Sequence, residues 1–344
     1  MKYNVLITGG AGFIGSHLVR LLVNKYPKYH IVNMDVLTYA GNLATLTDVE
    51  DHPNYKFIQG DICNRDRLKA HLISYMPDTI VHFAAESHVD RSIDGPFEFI
   101  QTNIVGTAVL LEEALYYYNS LQGSKKNIFR FLHVSTDEVY GSLGETGYFK
   151  ESTRYNPSSP YSASKIGADQ IAMSFYTSFG TPVSIIRPFN TYGPRQSTRA
   201  VIPTIITQIA GGQRKIKLGA LEPTRDFNYI EDTVSGFIEI AKSEATIGEV
   251  INIGNNYEIS IGDTANLIAE IMSADIDFET ETDRLRPEKS EVFRLWCDNS
   301  KAKNLINWQP KYSGKKGLKE GLRKTIEWFT VKENLHHYKT GYTL

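Results

Sequence analysis

The sequence predicts an α/β fold in which a doubly wound parallel sheet carries a smaller C-terminal substrate domain. Two observations make the sheet, and a third marks its end. Short β-branched runs alternate with helical patterns through the first half of the chain, and that alternation builds a parallel sheet covered on both sides. The runs are apolar on both faces, as strands buried under helices must be. After about Phe189 the rhythm changes to turn-rich stretches such as Gly193-Pro194 and Gly211-Gly212.

The strands are predicted at Tyr3–Thr8, His30–Asp35, Lys56–Asp61, Thr79–Ala85, Arg130–Thr136 and Pro182–Pro188. Between the first two, Ile14, Leu18, Leu21 and Leu22 share one helical face; later Ile104, Ala108, Leu111 and Leu115 share another. In the second half, Glu249–Gly254 reads as a strand, Ile261–Met272 as a helix and Gly317–Phe329 as a last amphipathic helix. The expected division is residues 1–189 for the sheet domain and 190–344 for the substrate domain. No composition-biased linker marks the boundary, so the two parts are free to interleave.

The chain has 344 residues, 41% of them hydrophobic, with a net charge of -2 and no long run of one sign. That is enough for a large core, and it carries neither a nucleic-acid footprint nor a polybasic membrane anchor. Cys63 and Cys297 are the only cysteines, expected as free thiols in a reducing compartment. No apolar run is long enough to span a bilayer, and MKYNVLITGG has no signal-peptide pattern. A cytoplasmic protein without a metal site is expected.

Thr8-Gly9-Gly10-Ala11-Gly12-Phe13-Ile14-Gly15 joins the first strand to the first helix. Gly9 allows a tight turn, Gly12 lets backbone approach a pyrophosphate, and Gly15 lets helix and strand pack closely. The helix N-terminus then offers free N–H groups to the phosphates. Asp35 ends the second strand, where a carboxylate accepts hydrogen bonds from both ribose hydroxyls and repels a 2′-phosphate; NAD is favoured over NADP. This is the Rossmann-type arrangement. Asp61 ends the third strand and reads either as an adenine contact or as a helix cap.

Ser135-Thr136-Asp137-Glu138 follow a buried strand. Adjacent carboxylates there can act as an acid and a base on neighbouring carbons, since their repulsion separates their protonation states. Tyr161 and Lys165 stand at i and i+4, on one helical face. A nearby ammonium would lower the tyrosine toward working pH, and Thr136 would hold the reacting hydroxyl beside it. The same Y-x-x-x-K spacing recurs at Tyr312 and Lys316, in a polar stretch where a solvated pair is expected.

TGGAGFIG, the acid after the second strand, STDEVYG and YSASK together resemble the extended short-chain dehydrogenase/reductase superfamily. Within it, FAAESHVDRSI (Phe83–Ile93), TNIVGT (Thr102–Thr107), STDEVYG (Ser135–Gly141) and PSSPYSASK (Pro157–Lys165) look like the dTDP-glucose 4,6-dehydratases. The resemblance implies an NAD enzyme that oxidises a nucleotide-linked hexose at C4, eliminates water across C5 and C6, and returns the hydride to C6. Thr136, Asp137, Glu138, Tyr161 and Lys165 would be catalytic. Gly9, Gly12, Phe13, Ile14, Gly15, Asp35, Asp61, Ile62, Ala84, Ala85, Tyr161 and Lys165 would hold NAD.

The same resemblance places Ser87, Asn190, Arg225, Asn252 and Arg286 at the substrate, with Glu86 near the sugar and His88 as a hydrogen-bonding partner rather than a catalyst. Arg225 would grip the pyrophosphate through its fork, the alternative being an ion pair with Asp226 or Glu222. The second half departs from the dTDP-glucose pattern. Arg199 and Ala200 occupy positions expected to hold Glu and Lys, and a D-R-x-G-H-D-R-R-Y pattern gives way to Arg284-Leu285-Arg286-Pro287-Glu288. This half is more similar to dehydratases and epimerases of nucleotide-linked N-acetylhexosamines, including those of the legionaminic acid pathway. The resemblance also implies a homodimer pairing through helices near 102–118 and 162–178.

Overall fold

Seven parallel strands form the central sheet of the computed structural model, which describes residues 3–281 and 292–335. The strands are β1 (Tyr3–Thr8), β2 (Tyr29–Asp35), β3 (Tyr55–Gln59), β4 (Thr79–His82), β5 (Arg130–Val134), β6 (Val183–Pro188) and β7 (Val250–Ile253). Their order is β7-β6-β5-β4-β1-β2-β3. β1 pairs with β2 on one side and β4 on the other, so the strand order reverses there. In such sheets ligands bind in the crevice beyond the carboxyl ends of the strands at that reversal.

Every residue of β4, β5 and β6 is buried, as expected for strands covered on both faces. Alternation along β1 feeds two cores. Val5 and Ile7 join Leu18, Val19, Ile251, Ile253 and Phe237 on one face. Leu6 joins Leu110, Leu111, Phe131 and Ile185 on the other. The helices that matter to the site are α1 (Phe13–Lys25), α2 (Arg65–Tyr75), α3 (Thr107–Ser120) and α4 (Pro160–Phe179).

α4 is well specified by its ends. Ser159 and Ser162 form a reciprocal capping box, Pro160 occupies the first turn, and Gly180 stops the helix in the left-handed region at φ 67°. Because its start is fixed, the positions of Tyr161 and Lys165 around its axis are fixed too.

Residues beyond β6 form short pairings outside the large sheet: Thr191–Tyr192 with Asn228–Tyr229, Thr224–Asp226 with Glu258–Ser260, and Lys215–Leu218 with Asp277–Thr280. The second half also returns to the large sheet, since β7 pairs with β6 from Val250↔Ile185 to Ile253↔Pro188. Tyr312 does not form the solvated pair expected of it. It is only 1% exposed, its ring packs on Tyr229, and its hydroxyl donates to Glu231. The polar residues around it hide an aromatic anchor. Both cysteines are free, and no described helix is long and apolar enough to cross a membrane.

Candidate active site

A cavity of about 570 Å³ opens beyond the carboxyl ends of β1 and β4. Gly9, Gly12, Phe13, Ile14 and Gly15 form one wall. Gly9 has φ 75°, and a Cβ there would stand 2.5 Å from the Ala84 backbone nitrogen; a Cβ on Gly15 would stand 2.5 Å from the Gly9 carbonyl oxygen. The loop therefore folds tightly on itself and against the end of β4. α1 begins at Gly12 with neither a side-chain cap nor an acid in its first turn, which leaves its N–H donors to an anion.

Asp35 closes the far end. Its Oδ2 accepts from Ala11 N at 3.0 Å and its Oδ1 from Leu37 N at 2.8 Å. Burial pushes its pKa up and these two bonds oppose that. Each carboxylate oxygen keeps a second lone pair for a ribose hydroxyl. Asp61 and Ile62 continue the wall. Asp61 Oδ1 also accepts from Cys63 N at 2.8 Å, so it makes a turn bond while facing the cavity; the cap of α2 is Asn64. Ala84, Ala85 and Ser87 line the cavity on the β4 side. A glycine cradle, an uncapped helix end and a two-lone-pair carboxylate fit a dinucleotide of the NAD type.

Tyr161 and Lys165 reach the same cavity from α4. Lys165 Nζ donates to the Val134 carbonyl at 2.8 Å, and burial lowers it to about 8. Tyr161 packs edge-on to Phe99 and bonds to Thr136. Its phenol is held above the ordinary range, contrary to the expected lowering. Burial is the largest cause, the Thr136 bond opposes it, and Glu138 and Asp137 add to it. In this chain the Lys165 amine donates to a carbonyl, and burial decides the phenol's protonation.

The carboxylate pair follows Ser135 in the chain, but Thr136, Asp137 and Glu138 are not among the residues that line the cavity. Thr136 caps a single 3-10 turn, Asp137–Tyr140, accepting from Glu138 N at 3.2 Å and donating to Asp137 Oδ1 at 3.1 Å. Asn190 Nδ2 donates to Asp137 Oδ2 at 2.8 Å. Asp137 is only 4% exposed. Burial first, and the Glu138 charge second, push it up to about 7; Thr136 and Arg225 pull the other way. Glu138 Oε2 is buried without a hydrogen-bond partner among the described residues. One carboxyl is thus kept near half-protonation at neutral pH, beside another with an oxygen in reserve.

Arg225 approaches Asp137 closely enough to affect its protonation, and its Nη1 donates to Thr224 O and Val292 O. The alternative of an ion pair with Asp226 is not favoured, because that carboxylate accepts from Asn255 N and Cys297 N in the core. Asn252 is a correction. It is 0% exposed, takes the Tyr140 hydroxyl on Oδ1 at 2.8 Å and donates to Phe149 O. Its amide is spent inside the protein and faces no ligand. Arg286 lies outside the described residues.

Sequence reasoning missed several groups. Tyr39 lines the cavity with Glu86, and its ring lies 3.8 Å from the Arg91 guanidinium carbon. Asn103 ties the Glu86 backbone to Ser164 on α4; it sits in TNIVGT, so the motif was visible though the task was not. Gln196, Ser197 and Thr198 close the cavity from the second half.

A parallel sheet with a glycine cradle at its switch point, and a Tyr-Lys helix beside a Thr-Asp-Glu turn, define the extended short-chain dehydrogenase/reductase class. The GDP-mannose 4,6 dehydratase family model matches residues 6–321, and the chain belongs to that family. A dTDP-glucose 4,6-dehydratase of Xanthomonas campestris pv. campestris is 38% identical over 339 residues, covering 95% of this chain and 93% of that one. A dTDP-glucose 4,6-dehydratase of Bacillus anthracis, solved in complex with NAD, superposes with a TM-score of 0.85 at 36% identity, covering 98% of this chain and all of that one. A UDP-glucuronic acid 4-epimerase of Bacillus cereus, solved with its sugar nucleotide and NAD, reaches 0.82 at 30% identity, covering 95% and 98%.

Proposed function

We propose that this chain is an NAD-dependent sugar-nucleotide 4,6-dehydratase, with dTDP-glucose the favoured substrate. The observation that carries the reading is the Asp137–Glu138 pair, held beside Thr136 and Tyr161 with one member poised near pH 7. NAD, when bound, accepts hydride from C4 of the sugar and returns it to C6.

Tyr161 Oη, guided by Thr136 Oγ1, would take the proton of the 4-hydroxyl only as the phenolate, a form that burial disfavours in the ligand-free protein and that the bound cofactor would have to restore. The resulting ketone acidifies the proton on C5, which Glu138 removes. Asp137 delivers its proton to the departing 6-hydroxyl, which leaves as water, and a C5–C6 double bond forms. Glu138 would then return its proton to C5, which closes the elimination with its own carboxylate restored. The proton gained at Tyr161 offsets the one lost at Asp137, so the net change is loss of one water. A buried carboxyl that is still partly protonated at neutral pH suits the acid's task.

Gly9 to Gly15, Asp35, Asp61, Ile62, Ala84 and Ala85 bind NAD in this reading, and Lys165 holds its ribose. Ser87, Asn190 and Arg225 serve the sugar nucleotide, Asn190 by aligning Asp137 and Arg225 at the pyrophosphate. Residues 1–189 form the NAD part and 190–344 the substrate part, interleaved through β7. The enzyme works in the cytoplasm as a homodimer. Support for pairing through α3 and α4 comes from exposed apolar residues on and beside them: Val105, Tyr116 and Phe179.

Incubation with dTDP-, UDP-, CDP- and GDP-hexoses, with and without a 2-acetamido group, tests this. A product lighter by one water is expected from dTDP-glucose. A 2-acetamido substrate turned over instead would move the assignment toward N-acetylhexosamine nucleotides, as Arg199 and Ala200 suggest. A stereoisomer of unchanged mass would replace the dehydratase with a 4-epimerase, in which Glu138 has no task.

A further inference from the structure

We propose that Arg187 is a positioning residue that fixes the acid–base turn against the Tyr161 helix. The proposal rests on the reading of Asp137–Glu138 as the elimination pair. Arg187 lies on β6 and is 1% exposed. Its guanidinium reaches three segments at once. Nη1 donates to the Tyr140 hydroxyl at 2.7 Å. Nη2 donates to the Tyr155 hydroxyl at 2.5 Å and to Asp169 Oδ2 at 2.9 Å, and Nε reaches the same oxygen at 3.3 Å. Its central carbon lies 4.9 and 5.0 Å from the two tyrosine ring centroids.

Each partner belongs to a segment that carries chemistry. Tyr140 ends the turn that begins at Asp137. Asp169 lies one helical turn beyond Lys165 on α4, and Tyr155 lies in the connection leading into that helix. Asp169 also accepts from Ser135 Oγ at 2.9 Å and faces His133 Nε2 at 3.2 Å. Burial alone would raise Asp169, but His133 and Arg187 hold it below the ordinary carboxylate range. The strand end before Thr136, the turn after it and the redox helix therefore converge on one buried ion pair.

A buried ion pair is a poor source of stability, since desolvating two charges offsets most of their attraction. What a guanidinium adds is direction: five donors in a rigid plane. Here that plane sets the distance between two catalytic sets that must address one sugar without its release. Asn252 Oδ1 completes the arrangement by accepting a hydrogen bond from the Tyr140 hydroxyl, so that hydroxyl is held from two sides.

Tyr140→Phe tests the tie with little risk to folding, because the ring and its contact with Phe149 remain. The expected result is a selective loss. C4 oxidation, read by the rate of cofactor reduction in a single turnover, stays at the wild-type rate. Elimination slows about ten- to a hundredfold, reduced cofactor accumulates during turnover, and KM stays within about twofold. Arg187→Lys keeps the charge but not the fork; it shows the same split more severely, and it recovers activity relative to Arg187→Met. In the ligand-free protein, the Asp137 titration followed by carbon NMR shifts its midpoint in Tyr140→Phe. Equal slowing of oxidation and elimination, or a wild-type Asp137 midpoint with wild-type elimination in Tyr140→Phe, overturns the proposal. Failure of the wild type to dehydrate any sugar nucleotide would instead remove the underlying reading, and the titration would still decide whether the tie exists.

Discussion

The redox helix and the elimination turn lie side by side, joined by the Tyr161–Thr136 bond, but are held by different means. Tyr161 and Lys165 owe their placement to twenty residues of α4 with both ends capped. Asp137 and Glu138 sit on a single turn, fixed by Thr136, Asn190 and the Tyr140 hydroxyl. A long helix places its side chains by local geometry. A short turn borrows its geometry from residues far away in the chain, and it is correspondingly easier to disturb from a distance.

The most severe way to break the comparison is Tyr161→Phe. It removes the proton acceptor on which both halves of the reaction depend, so oxidation and dehydration fall together by about ten-thousandfold, while cofactor titration by fluorescence shows binding retained. Glu138→Gln sharpens the contrast. Dehydration falls about a thousandfold, but reduction of bound cofactor by the substrate continues. An elimination rate like that of the wild type would take Glu138 out of the mechanism.

Protonation separates the two sets more gently. Burial raises Asp137 from 3.8 to about 7, so folding favours its neutral form. That contribution to stability is complete below about pH 4 and is lost as pH rises through about 7. The acid needed for water loss follows the same curve, so elimination falls about tenfold per pH unit above that point. Asp137→Asn flattens this limb of the rate profile and part of the stability slope. Asp226, which burial also raises to about 7, retains the rest. Denaturant titrations across this range read the difference. The smallest effect is expected at Asp35→Ala. Loss of its ribose contacts weakens cofactor binding about tenfold, measured calorimetrically, and leaves the balance between oxidation and elimination unchanged.

The parts of the site that could be read from the sequence are those built locally. The glycine spacing, Asp35 at a strand end and the i, i+4 pair each carry their geometry within a few residues. The parts that could not be read depend on contacts across the fold. Arg187 looks like one charge at the end of an apolar run, yet its partners lie 18, 32 and 47 residues away. Asn252 follows the strand signal VINIG into the core, where Tyr140 claims it, so a family-like position became a buried support. Tyr312 looked solvated because its neighbours are charged; the ring that covers it comes from Tyr229, far earlier in the chain. Tyr161 shows the same limit for electrostatics. Spacing gave the lysine's position on the helix but not the depth of burial that decides the phenol's charge.

β7 bears on how such an enzyme is made and diversified. During synthesis β6 emerges with one edge unpaired, and it stays so until Val250–Ile253 has been added. A bare edge of that kind invites pairing with other chains, so a fragment ending at residue 189 should aggregate rather than fold as a free dinucleotide-binding module. The same strand discourages the exchange of whole halves between relatives. New substrates are then reached by altering the loops between β6 and β7, with the sheet on either side left intact.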